Sequence, residues 1–259
     1  MTAATYQFVL VERTPPVCTV KLNRPDKRNA LNTPLFRELL DALHQANDDP
    51  EVRVVVLGAE GPVFCAGQDL RFTYQQPQRE FEEYGALNQA TRDFLRTMGK
   101  PVVARVQGDA LGGGTYLATA CDIIVAARHA RFAMREIAAG LQSGGAHLLT
   151  IGRQRSLEMN LTGRFVGAEE AERWGLINRC VEPEELDSVV QEYVAMLADK
   201  PPLGLMYTKR ATNLLLEAMG FELLQRYNRE VSRILHATED RAEAQAAFLE
   251  RRKPVFKGR

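Results

Sequence analysis

The chain has 259 residues, 45% of them hydrophobic and 25% charged, a balance that fits one large core or a core with a small appendage. Its formal net charge of zero excludes a global electrostatic case for nucleic acid or an anionic membrane, and no apolar stretch is long enough to span a bilayer. The four cysteines (Cys18, Cys65, Cys121, Cys180) have no C-x-x-C spacing, so neither a disulfide framework nor a zinc site is expected. No His/Cys/Asp cluster has metal spacing either, and His44, His129, His147 and His236 read as structural. Met1 to Gln7 is short and polar and lacks the apolar core of a secretion signal, so a reduced, cytoplasmic setting is expected.

In chain order, Tyr6 to Val11 and Val17 to Leu22 read as a hairpin across Pro15-Pro16. Thr33-Pro34 opens a helix, with Thr33 as cap and Leu35, Leu39, Leu40 and Leu43 as its apolar face. Val52 to Leu57 reads as a buried strand. Thr73 to Arg79, with Gln75-Gln76-Pro77-Gln78, reads as a mobile loop before a helix from about Glu80 to Met98. Val102 to Val106 and Ile123 to Ala126 read as further strands, and Gly144-Gly145 as the start of a helix through Leu149, with Ser143 as its cap. Four segments then have helical apolar spacing: Leu186 to Leu197, Gly204 to Met219, Phe221 to Leu235 and Glu239 to Leu249. No short-period repeat and no linker-like composition break is present.

Two glycine-bearing loops follow predicted strands. One is Phe64-Cys65-Ala66-Gly67-Gln68-Asp69-Leu70, the other Gly108-Asp109-Ala110-Leu111-Gly112-Gly113-Gly114. Strand-to-helix turns of small residues bring backbone N–H groups close to a ligand, and two such groups converging on one carbonyl oxygen make an oxyanion hole. The glycines also admit a plain reading as a tight turn or a strand–helix packing point. A dinucleotide fingerprint fits poorly, because Leu117 stands where the third glycine of G-x-G-x-x-G belongs.

The pair of loops resembles the crotonase (enoyl-CoA hydratase/isomerase) superfamily. Further motifs carry the resemblance over nearly the whole chain: Asn23-Arg24-Pro25, Asn29-Ala30-Leu31-Asn32, Pro101 to Ala104, Cys121-Asp122-Ile123, Leu161 to Arg164, Ala168 to Val181 and Phe248 to Arg259. The implied fold is α/β, a spiral of repeated β-β-α units over residues 1–200, with a helical C-terminal region over 201–259 that forms a homotrimer or a dimer of trimers. The implied substrate is an acyl-CoA thioester, with coenzyme A as part of the substrate and no separate cofactor, metal, nucleic acid or membrane.

By the same resemblance, the N–H groups of Gln68 and Gly113 form the oxyanion hole, aided by the positive end of the helix after Gly113. Hydratases of the family use two glutamates. Here the first position is Tyr116 and the second is Glu136, in unbroken register after Gly113. A carboxylate in an apolar pocket has a raised pKa and shuttles protons near neutrality, which makes Glu136 the expected acid/base. Its competing reading is a surface glutamate paired with Arg131 or Arg135. Tyr116 is a poor base but a usable donor, and its competing reading is packing against Phe64 or Phe72. Coenzyme A and substrate contacts are expected at Arg28, Ala30, Ala66, Gly67, Asp69, Leu70, Gly112, Gln142 and, reaching a neighbouring subunit, Lys257.

The first expectation for the reaction is reversible hydration of a 2-enoyl-CoA. The alternatives are a single-base double-bond isomerase, a hydrolase of cyclic β-keto acyl-CoA suggested by Ala104 to Gly108 and Leu117-Ala118-Thr119, and a non-catalytic acyl-CoA-binding homologue.

Overall fold

Runs of β-branched residues, buried on both faces at the centre of the sheet, build the main sheet of this computed structural model, which describes residues 6–74 and 78–259. In chain order the elements are β1 (Val9–Thr14), β2 (Val17–Leu22), α1 (Thr33–Asp48), β3 (Val54–Ala59), α2 (Leu70–Tyr74), α3 (Gln78–Thr97), β4 (Val102–Val106), β5 (Ala110–Leu111), α4 (Gly113–Thr119), β6 (Ile123–Ala127) and β7 (Arg131–Ala133). There follow α5 (Leu148–Ile151), α6 (Arg153–Thr162), β8 (Val166–Gly167), α7 (Ala168–Trp174), β9 (Arg179–Val181), α8 (Leu186–Ala198), α9 (Pro202–Ala218), α10 (Phe221–His236) and α11 (Glu239–Glu250).

Among the described residues, one sheet has the order β1-β2-β3-β4-β6-β9, antiparallel at β1–β2 and parallel thereafter. A second, smaller sheet has the order β5-β7-β8. The chain alternates between the sheets, β4 then β5 and β6 then β7, which is the spiral expected from the sequence. Alternate side chains along the central main-sheet strands feed two cores. Val55, Leu57, Val102, Ala104, Ile124 and Ala126 join the larger core with α1. Val54, Val56, Val103 and Val125 face α8, which covers them with Val189, Val190 and Val194. Strands buried on both faces read as continuous apolar runs, and this is why they were visible in the sequence.

Several local expectations shift. The first strand runs Val9–Thr14, later than Tyr6 to Val11, because its pairing with β2 closes at Thr14–Val17 around the Pro15-Pro16 turn. β3 likewise starts at Val54, where it meets Val17 of β2. The cap of α1 is Asn32, whose side chain accepts the Leu35 N–H; Thr33 is the first helical residue. Ser143 is not a cap, and a 3-10 turn at Gly145–His147 precedes the short α5. Thr73 and Tyr74 belong to α2 and α3 begins at Gln78, whereas Gln75 to Pro77 of the expected mobile loop lie outside the described residues.

The C-terminal helices return to the core. Lys209 of α9 bonds the Lys100 carbonyl and pairs with Asp122 at 2.8 Å. From α10, His236 stacks on Phe81 of α3. Arg241 of α11 is buried and donates to the Ala139 carbonyl, which ties α11 to the segment after Glu136. No helix among the described residues is long and apolar enough to cross a membrane.

Candidate active site

The two glycine loops are joined by backbone. The Cys65 N–H donates to Asp109 O at 3.0 Å, and the Leu111 N–H donates to Cys65 O at 2.9 Å. Gly67 has φ +87°, and a Cβ there would stand 2.6 Å from Leu111 O. Gly114 has no room either, because its Cβ would collide with the Cys65 carbonyl. These two positions need glycine because the loops lie backbone to backbone.

That approach brings Gln68 and Gly113 together. A Cβ built on Gly113 would lie 3.9 Å from the Gln68 nitrogen. Around Gln68 the neighbouring groups are bonded, with Leu31 N–H donating to Gly67 O and Asp69 N–H donating to Leu31 O. Among the described residues, neither the Gln68 N–H nor the Gly113 N–H has an acceptor. Two unengaged donors at the start of a helix suit an oxyanion. The Gln68 side-chain nitrogen Nε2 is also buried without a partner.

Both donors line a cavity of about 400 Å³, together with Ala66, Gly67, Leu70, Gly112, Tyr116, Glu136 and Gln142. Tyr84, Gly85, Gln89 and Arg92 of α3 form one wall, and Gln225, Asn228 and Ser232 of α10 form another. Glu136 sits where β7 runs into a 3-10 turn, and its carboxylate would lie 2.9 Å from a Cβ on Gly112. Burial pushes its carboxyl up to about 7, against weaker opposing contributions from its own backbone N–H, Ser143 and Arg92. Ser143 Oγ donates to Glu136 Oε2 at 3.2 Å. The expected rival partners are engaged elsewhere: Arg131 with Asp109, and Arg135 with the Gly163 carbonyl.

Tyr116 packs against the larger core, which includes Phe64, and makes polar and ring contacts besides. Its ring stacks on His147 at 5.1 Å, and its hydroxyl donates to Gly144 O. Burial raises the phenol's pKa further, and nearby Glu136 adds to the shift, so the ring stays neutral and protonated at ordinary pH. Burial pushes His147 down to about 4. Thr119 Oγ1 donates to Thr115 O, which leaves it to accept from His147 Nε2 at 3.2 Å. His147 is thus a neutral packing residue under the tyrosine.

The remaining expected contacts divide. Gln142 donates from Nε2 to Asn228 O, holding α10 over the cavity. Asp69 accepts from Arg24 and caps the Phe72 N–H, so it braces the loop and does not line the cavity. Arg28 is exposed beside the loop, where its carbonyl takes the Ala66 N–H, and the Ala30 carbonyl accepts from Arg24. Lys257 is exposed beside α11, its N–H on Asp240, away from the cavity of its own chain. Sequence reasoning missed Ser143 as a partner of Glu136, and missed Arg92, whose guanidinium lies 5.1 Å over the Tyr116 ring.

Residues 12–259 match the family model for enoyl-CoA hydratase/isomerase. The chain belongs to that family. A probable enoyl-CoA hydratase of Mycobacterium bovis is 35% identical over 262 residues, covering 97% of this chain and 98% of that protein. A crotonyl-CoA hydratase of Syntrophomonas wolfei is 34% identical over 258 residues, with 97% and 98% covered. The crystal structure of an enoyl-CoA hydratase from Mycobacterium avium subsp. paratuberculosis has a TM-score of 0.87 at 29% identity, over 98% of this chain and all of that one. Family membership makes this chain an enzyme of the hydratase/isomerase group, and it agrees with the α/β spiral and helical C-terminal region described above.

Proposed function

We propose that the enzyme hydrates a 2-enoyl-CoA reversibly, with Glu136 as the one acid/base and the Gln68 and Gly113 N–H groups as the oxyanion hole. The observation that carries this reading is the placement of a carboxyl with pKa near 7 in the same cavity as two unengaged backbone donors. The Glu136 carboxylate takes a proton from water as the water oxygen bonds to C3. The double bond's electrons move to the thioester oxygen, where the two N–H groups hold the enolate. The Glu136 carboxyl then returns its proton to C2, giving the 3-hydroxyacyl-CoA with one water added. Tyr116 cannot supply a second base, since its proton is engaged with Gly144 O; its oxygen remains available to accept from the water. The reading needs no cofactor beyond the coenzyme A that the substrate carries. Ala66, Gly67, Leu70 and Gly112 then border the acyl thioester, while Arg28, Ala30 and Lys257 are proposed for the coenzyme A end. Coupled absorbance assays with 2-enoyl-CoA substrates test the reading; loss of the enoyl chromophore with a 3-hydroxyacyl product supports it.

The tyrosine at the first carboxylate position also favours a second reading, a single-base isomerase in which Glu136 moves a proton between C4 and C2. Restoring the second acid separates them. Tyr116→Glu is expected to raise crotonyl-CoA hydration by about tenfold, with a pH-dependent gain because two close acids raise at least one pKa. Wild-type hydration that is already fast, and unimproved in this variant, contradicts the role given to the tyrosine.

The proposal extends to assembly and setting. Leu214 and Leu215 of α9, Met219 just after it, and Leu223, Tyr227 and Ile234 of α10 are exposed large apolar residues on the segment assigned to trimerisation, 201–259. Such a surface suits a homotrimer or a dimer of trimers. Light scattering at micromolar concentration is expected to give a mass three or six times that of the chain, and a stable monomer contradicts it. A cytoplasmic setting is supported by four cysteines that are all free thiols.

A further inference from the structure

Arg92 is a charged group in the cavity that the proposed chemistry does not use. It projects from α3 into the wall beside Tyr116 and acts electrostatically on Glu136. Its two side-chain bonds go to neutral acceptors one turn back on the same helix, the Gln89 side chain at 2.9 Å and the Asn88 carbonyl at 3.4 Å. Among the described residues it has no carboxylate within ion-pair distance. The other cavity arginines differ. Arg135 is tied to Gly163 O, Arg233 pairs with Glu230, and Arg229 is exposed to solvent.

A half-buried guanidinium that lines a cavity and has no carboxylate within ion-pair distance is a ready site for a charge that a ligand supplies. Burial lowers the pKa of Arg92, yet arginine stays protonated at any ordinary pH, so the side chain remains a cation. Glu136 does not neutralise it at neutral pH in full, because its own carboxyl is near 7. Among the described residues Arg92 Nη1 has no acceptor, and the side chain lines the cavity.

We infer that the acyl group of the substrate carries a carboxylate beyond C3, and that Arg92 binds it. The inference rests on the acyl-CoA reading of the site and adds a substrate class to it: acyl-CoA thioesters of dicarboxylic acids, with the thioester oxygen at Gln68 and Gly113 and the second carboxylate at Arg92. The arginine acts as a specificity residue, and the cation over Tyr116 fixes the side chain in place before the ligand arrives.

The test uses unreactive thioesters, so that it does not depend on hydration. Calorimetry on the wild type compares glutaryl-CoA with valeryl-CoA and adipyl-CoA with hexanoyl-CoA, each pair matched in carbon number and in coenzyme A. At one or both lengths the carboxylated member is expected to bind more tightly, on the order of 10- to 100-fold, the range of a hydrogen-bonded charge. Arg92→Gln is expected to erase the preference while leaving valeryl-CoA and hexanoyl-CoA within a few-fold. Arg92→Lys is expected to retain part of it. Equal binding of both members at both lengths in the wild type overturns the inference without recourse to any variant. An Arg92→Gln loss that is equal for both members of each pair also overturns it, since that pattern marks a coenzyme A contact or a packing role. A preserved preference in a protein that does not hydrate 2-enoyl-CoA leaves the carboxylate site standing and removes only the reaction.

Discussion

Replacing Glu136 with glutamine is expected to lower kcat for 2-enoyl-CoA hydration by about 1,000- to 10,000-fold, while acyl-CoA affinity stays within a few-fold. The substitution keeps the shape and the Ser143 contact but removes the carboxylate that takes the proton from water and returns it to C2. The wild-type kcat/KM for hydration should rise with pH through about 7, as the carboxylate forms, and the variant should lose that limb. Stability should move the other way. The fold favours the neutral carboxyl; the unfolded chain ionises near 4.5 and the folded protein near 7. Stability therefore falls as pH rises through that window, and the full cost of the buried charge is present above it. At pH 8 Glu136→Gln should be more stable than the wild type, by up to about 3 kcal/mol on the linkage arithmetic, with little difference at pH 4. Kinetics and thermal melts at the two pH values check both halves. Activity within tenfold of the wild type moves the acid/base to another residue.

Gly114→Ala is expected to lower kcat by about 100-fold or more without changing any group that touches substrate. The added methyl meets the Cys65 carbonyl and Cβ, which are rigid parts of the first loop. The two loops must separate to admit it, and the Gln68 and Gly113 donors then no longer point at one oxygen. Overpacking of this kind costs about 1–3 kcal/mol of stability, and loss of one oxyanion donor costs about 3 kcal/mol of barrier. A folded Gly114→Ala protein with unchanged kcat contradicts the view that the spacing of the loops sets the hole. Gly167→Ala is the matched control, because a Cβ there meets nothing within 4 Å and the residue does not line the cavity.

The central strands β3, β4 and β6 of the main sheet were readable because they are apolar on both faces, and the long helices because their apolar spacing is regular; the edge strand β9, three residues long, was not read. The short strands β5, β7 and β8 were not. At two or three residues they have no period, and their pairing depends on partners far along the chain. Glu136, Gln68 and Gly113 were found through the family register, which also fixed the tyrosine as the departure. Ser143 was misread because serine before a glycine pair is a local capping signal, whereas its actual partner lies across a turn. Arg92 left a weak signal. Gly85, Asn88, Gln89 and Arg92 form a polar stripe at helical spacing beside the buried Tyr84, Thr91 and Leu95, so the cavity wall was present in the pattern of the predicted helix. What the sequence did not hold was the absence of a counter-ion, which depends on tertiary neighbours.

The central claim is that Glu136 adds water to an enoyl thioester. Its most direct test is to incubate the enzyme with a 2-enoyl-CoA in water enriched in oxygen-18 and to weigh the product by mass spectrometry. The expected result is a 3-hydroxyacyl-CoA carrying one heavy oxygen, formed by the wild type and not by Glu136→Gln. A product of unchanged mass with a displaced double bond, or labelled product formed equally fast by the variant, contradicts it.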